Sequence, residues 1–142
     1  MKERKEKLKD SSVTVLGVKF GHSDIHSVVD AFYKEVAGHI RLKVPFKSVQ
    51  DWPEHIDRMT QFWWVSFGGK AYMFSQYSPV WKHYGAGFNQ EYLDDWLKLF
   101  HKTLKEHLNI EQMMAWKKIS ERMGKNLLVS NEMIKAQKNE NF

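Results

Sequence analysis

Cysteine is absent from this chain of 142 residues. Disulfides, thiolate metal sites and cysteine nucleophiles are therefore excluded, and a reducing cytoplasm suits such a chain. No apolar run approaches the ~20 residues that a membrane-spanning helix needs, and the first residues lack the apolar segment of a secretory signal. A soluble, cytoplasmic protein with no membrane partner is expected. Missing too are an HExxH zinc motif, a Gly-x-Ser-x-Gly elbow, a Gly-rich phosphate loop and a close carboxylate pair among the apolar positions. Hydrolytic chemistry has no evident carrier. Neither an internal repeat nor a domain boundary interrupts the chain, whose length suits a single domain.

What is plentiful is aromatic. Six tryptophans and nine phenylalanines raise the aromatic fraction to 14%. That exceeds what a minimal helical core needs, so either a wide apolar cavity or a ligand-free aromatic core would account for it. The formal charge is +5, much of it from residues 1–10, which carry five basic and three acidic side chains. No Lys/Arg stripe interleaved with aromatics accompanies it, so a solvated arm is expected rather than a nucleic-acid partner. The expected division is a flexible basic arm over residues 1–12, one domain over 13–135 and a polar tail over 136–142.

Residues 12–20 have the look of a short strand, but no partner strand follows, and an extended or partly helical lead-in is expected. From Ser23 the period changes: Ile25, Val28, Val29, Phe32 and Val36 share one helical stripe, ended by Gly38. Tyr33 lies at its edge, where the hydroxyl meets either water or a cavity. Pro45-Phe46 reads as a corner. Asp51 then caps a helix with Pro53 in its first turn, and Glu54 completes the spacing of a capping box. Along that helix Trp52, His55, Ile56, Met59, Phe62, Trp63 and Phe67 recur at steps of three and four until Gly68-Gly69. His55 is thus one turn from Met59 on an apolar face. A histidine there needs partners for its ring nitrogens, which a carbonyl or a ligand pocket would supply.

Ser78 and Pro79 start a short helix that delivers His83 and breaks at Tyr84-Gly85-Ala86-Gly87. Asn89 caps a longer helix with apolar Leu93, Trp96, Leu97, Phe100 and Leu104. Asn109 caps a last one, striped by Met113, Trp116, Ile119, Met123 and Leu127. The fold class expected is all-α.

Ala31-Phe32-Tyr33, Pro45-Phe46, Trp52-Pro53-Glu54-His55 with Met59-x-x-Phe62-Trp63, Pro79-x-x-x-His83 and Trp96-Leu97-x-Leu99-Phe100 occur in that order. Together they resemble the truncated haemoglobins, and within them the third group. The resemblance runs from about Asp24 to Phe100, with a looser match through the last helix. It departs from the family in a longer segment between Gly69 and Pro79, a glycine-rich stretch after His83 and the basic arm.

The resemblance implies a two-over-two helical sandwich around haem b, iron protoporphyrin IX. It implies His83 as the proximal iron ligand, and Tyr33, His55 and Trp96 as the distal polar set. Phe46 would pack on the porphyrin, with Phe32, Met59, Phe62, Trp63 and Phe100 as apolar walls. An imidazole suits iron(II) that binds a gas on its open side. The implied function is reversible binding of O2, NO or CO, in a polar pocket suited to reactions of bound oxygen such as nitric oxide detoxification rather than oxygen delivery. An electron-donating reductase would then be a partner, and the state a monomer or weak dimer. Dioxygenase or peroxidase-like activity is open. So are two alternatives: a haem-free helical sensor or interaction module, and six-coordinate haem with His55 on the iron.

Overall fold

The expected lead-in is in fact a hairpin. In the structure, a computed structural model that describes residues 8, 10–47, 49–73 and 87–140, β1 (Ser12–Val15) pairs antiparallel with β2 (Val18–Gly21). The partner strand lies within the same short stretch. Leu16 and Gly17 form the turn between them, at φ 51° and 76°. Two successive residues in the left-handed region make a two-residue turn that matches the twist of the flanking strands. Val13 faces Phe20 across the ladder, and both are buried, Phe20 completely. Burying such a ring stabilises the fold by roughly 2–3 kcal/mol, enough to hold a hairpin that would be marginal alone.

The other regular elements among the described residues are helical, in agreement with the expected class. Helix α1 (His22–Gly38) begins where the Asp24 carboxylate accepts the Gly21 N–H at 2.8 Å. Its stripe of Ile25, Val28, Val29, Phe32 and Val36 is buried as the spacing predicts. A single 3-10 turn (Val44–Phe46) makes the Pro45-Phe46 corner. Helix α2 (Trp52–Ser66) follows, with Asp51 Oδ1 accepting the Glu54 N–H at 3.0 Å. Helix α3 (Gln90–His107) is capped by Asn89 Oδ1, which accepts the Tyr92 N–H at 2.8 Å. Helix α4 (Ile110–Glu140) starts on Asn109 Oδ1, which accepts the Gln112 N–H at 2.8 Å. It runs to Glu140, within the residues expected to form the polar tail.

Helix α1 packs on α2 and on α3, α3 packs on α4, and β2 lies against α1 and α4. The centre of this arrangement is aromatic. Trp116 of α4 is fully buried, with Phe20, Phe67, Trp63 and Phe100 between 5.2 and 5.9 Å from it, ring centre to ring centre. Edge-to-face and offset pairs of this kind add about 0.5–1.5 kcal/mol each beyond the area they bury. Gly124 belongs to this packing as well: a side chain there would press on Leu93 of α3, so the helix weakness it introduces is exchanged for a close crossing.

Two interactions tie the corner after α1 to α3. The Tyr92 hydroxyl donates to the Leu42 carbonyl at 3.0 Å, and Arg41 meets Glu91 at 2.9 Å and Asp95 at 3.2 Å. The Arg41 pairs are exposed and contribute little. The Tyr92 bond is half-buried, and burial pushes its phenol up to about 12, so the donor proton stays in place.

Candidate functional site

Four ring-bearing side chains from three segments meet between α1, α2 and the corner. The Asp51 cap and Pro53 fix the direction of α2, so that His55 points at α1 one turn in. There the Tyr33 ring stands at 4.9 Å from the imidazole, at 89°. Phe46 comes up from the corner to 5.4 Å from His55 and 5.7 Å from Tyr33. Trp52 closes the ring, 5.7 Å from His55, 6.0 Å from Phe46 and 6.4 Å from Tyr33. His55 therefore sits in an aromatic cage.

The inner nitrogen of that histidine, Nε2, is buried and has no hydrogen-bond partner among the described residues. Buried polar atoms are nearly always paired, and an unpaired one costs about 1–3 kcal/mol. Burial first, and the charge of Arg58 second, hold the imidazole below its ordinary 6.5. It is therefore neutral at neutral pH, an uncharged nitrogen turned into an apolar enclosure.

The shifted histidine has a consequence for stability. On unfolding it regains its ordinary affinity for a proton, so the unfolded chain binds more protons below about pH 6.5. Stability should thus be full above that value and fall as the pH drops through the lowered pKa. His101, also held low chiefly by burial, acts in the same direction. Denaturation midpoints measured at about pH 7.5 and 5.5 check this: the loss on acidification should be smaller in His55→Gln than in the unaltered chain.

Beyond Tyr33 the rings continue. Phe32 touches Tyr33 at 5.2 Å, Trp96 at 5.1 Å and Phe100 at 5.0 Å. Trp96 stacks on Phe100 at 4.5 Å and 22°, and Phe100 stacks on Trp63 at 5.7 Å and 18°. Met59 and Trp63 are buried on the same helix as His55, and half-buried Phe62 touches Trp63 at 5.4 Å. Of the three residues expected to form a polar set, Tyr33 and His55 are thus in contact, while Trp96 reaches them through Phe32. His83 lies outside the described residues. Trp52 was legible only as part of the α2 stripe and of a motif; its place as a wall of the cage depends on Phe46 folding back over it. On its outer side, a groove of about 510 Å³ between α1 and α2 brings solvent up to Tyr33, Trp52 and Ile56.

No protein-family model and no curated protein matches the chain. Solved structures do. The chain is similar to the group III truncated haemoglobin of Campylobacter jejuni, with a TM-score of 0.68 and 24% identity over 77% of this chain and 89% of that one. It is similar also to the 2/2 haemoglobin of Synechococcus sp. PCC 7002, solved in the cyanomet state with covalently attached haem. There the TM-score is 0.62 and the identity 20%, over 76% of this chain and 91% of the other. The fold is therefore that of the truncated, two-over-two globins.

Proposed function

We propose that the chain is a haem-binding globin and that the cage around His55 is the distal side of its haem pocket. The observation that carries this reading is the buried His55 Nε2, unpartnered among the described residues and set among Tyr33, Phe46 and Trp52. A neutral nitrogen without a partner, walled by rings, fits a small polar guest on a flat apolar cofactor. Both similar structures are haemoglobins, which supports the same reading. Residues 13–135 would form this one domain.

Haem, when bound, supplies an iron that takes O2, NO or CO and exchanges electrons with a donor such as a reductase. The residues do the rest. His83 would hold the iron through one imidazole nitrogen, its other nitrogen fixed by a carbonyl or carboxylate. Phe46 would lie on the porphyrin, with Phe32, Met59, Phe62, Trp63 and Phe100 excluding water. Tyr33 and His55 would donate hydrogen bonds to a diatomic ligand carrying partial negative charge, and Trp96 would supply a third donor. A pocket with two or more donors retains oxygen and suits its reaction, for instance with nitric oxide, better than its delivery. Protoporphyrin IX, the b-type group, is the form expected, in a cytoplasmic protein.

The unpartnered His55 nitrogen favours one variant of this reading, in which His55 itself binds the iron in the resting state. Optical spectra of the reduced, ligand-free protein separate five- from six-coordinate iron. Tryptophan fluorescence tests the main proposal. Haemin added to the chain should quench it steeply, with an endpoint at one equivalent, because Trp52, Trp63 and Trp96 lie around the pocket. Shallow quenching without an endpoint would instead favour a helical module that binds no haem.

A further inference from the structure

A second aromatic cluster joins the hairpin end of the molecule to the segment after α2. Tyr72 is 7% exposed, and its phenol oxygen lies 2.8 Å from His22 Nε2. The backbone that carries it is pinned by Gln61, a buried residue of α2. Gln61 Oε1 accepts the N–H groups of Tyr72 and Met73 at 2.7 Å each, and its Nε2 donates to the Met73 carbonyl at 2.9 Å. The His22 ring stands edge-on to Tyr72 at 5.3 Å and to Trp64 at 5.2 Å. Trp64 is buried, its indole N–H has no hydrogen-bond partner among the described residues, and it fits only because residue 69 is glycine: a side chain there would run into the indole.

We propose that Tyr72 is a one-electron donor whose proton passes to His22 as it is oxidised, and that the rings between it and the His55 cage carry the electron. Burial, with the charge of Asp57 second, pushes the phenol up to about 12, so it is protonated at neutral pH. Taking an electron from a neutral phenol creates a strongly acidic cation, and the step is accessible only with a base in hydrogen-bond contact. His22 Nε2 is that base. The balance is simple: Tyr72 loses one electron, its O–H bond breaks, and the proton is bonded to His22. A neutral tyrosyl radical and an imidazolium remain. Any hydroxyl and acceptor would tie these two segments together, whereas phenol and imidazole together add a transferable proton.

The path inward runs from Trp64 along the backbone to its chain neighbour Trp63, and from there through rings. Trp63 stacks on Phe100, Phe100 on Trp96, and Phe32 links Trp96 to Tyr33 of the His55 cage. This makes hydrogen peroxide, reacting at the cofactor, the oxidant class that the arrangement suits, and that part rests on the haem reading. Cleavage of the O–O bond consumes two electrons and two protons and yields two waters. With haem bound, Tyr72 would supply one electron, iron(II) the other on becoming iron(III), and solvent both protons.

The test does not need the cofactor. Photogenerated tris(bipyridyl)ruthenium(III) withdraws one electron from the full chain and returns to ruthenium(II), and the sample is frozen for electron paramagnetic resonance. A tyrosyl signal is expected that narrows with ring-deuterated tyrosine and disappears in Tyr72→Phe, a variant that keeps the Gln61 bonds to the backbone. His22→Gln offers the phenol an acceptor but no base, and the signal should be lost there also. A full signal in Tyr72→Phe, or in His22→Gln, overturns the proposal. Should either variant fold poorly, spin trapping in the unaltered chain decides: peptide mapping must find the adduct on Tyr72, and an adduct on another tyrosine instead contradicts it. A chain that took up no haem would lose only the peroxide step; the ruthenium result stands apart from it.

Discussion

Oxygen should leave a Tyr33→Phe variant of the haem-loaded chain about tenfold to a hundredfold faster than it leaves the unaltered chain. A hydrogen bond to a charged acceptor is worth roughly 1.5–3 kcal/mol, and each ~1.4 kcal/mol is a factor of ten. The exchange removes only the hydroxyl. The ring keeps its contacts with Phe32, Phe46 and His55, so a change in rate reports the donor rather than the packing. Combined with His55→Leu, the acceleration should reach about a hundredfold to ten-thousandfold, because two donors are then gone. Stopped-flow displacement of oxygen by carbon monoxide measures both. If neither variant differed from the parent, Tyr33 and His55 would not be the groups that hold the ligand, and Trp96 alone would be left.

The second large effect is expected at His83. His83→Ala should weaken haemin uptake by more than about a hundredfold, beyond the 10–100-fold typical of residues that only orient a metal ligand. His55→Ala serves as the companion measurement. On the proximal assignment of His83, haemin affinity falls far less in His55→Ala, while the spectrum of the reduced form changes if His55 is an iron ligand. Uptake undiminished in His83→Ala and abolished in His55→Ala would move the anchor to the α2 side of the pocket.

Much of the architecture was readable because its signals are local. Asp51, Asn89 and Asn109 each cap a helix through their own side chain, three residues from the group they satisfy. The stripe on α1 and the steps of three and four on α2 needed only helical periodicity. The hairpin was not readable in the same way. Leu16 adopts a positive φ that its type disfavours, so the turn carries half of the usual signature, and a strand that pairs within its own stretch looks like one strand. The cage was half legible. His55 stood out as a nitrogen on an apolar face, but the approach of Phe46 and Trp52 depends on how the corner folds back, which no spacing encodes. The same holds for Phe32, which stands between Trp96 and Tyr33. The link between Tyr72 and Gln61 was not legible: an apolar segment after α2 shows in the sequence, but not that a polar residue on a buried helix face binds its backbone.

The cage, the neutral imidazole and the stacked rings all acquire one purpose if a flat iron-bearing pigment lies against them. The absorption spectrum of the purified chain mixed with one equivalent of haemin tests this most directly. A sharp Soret band that survives gel filtration, shifts on reduction and shifts again under carbon monoxide is the predicted result. A well-folded chain that emerges from the column colourless, with haemin supplied in excess, would contradict it.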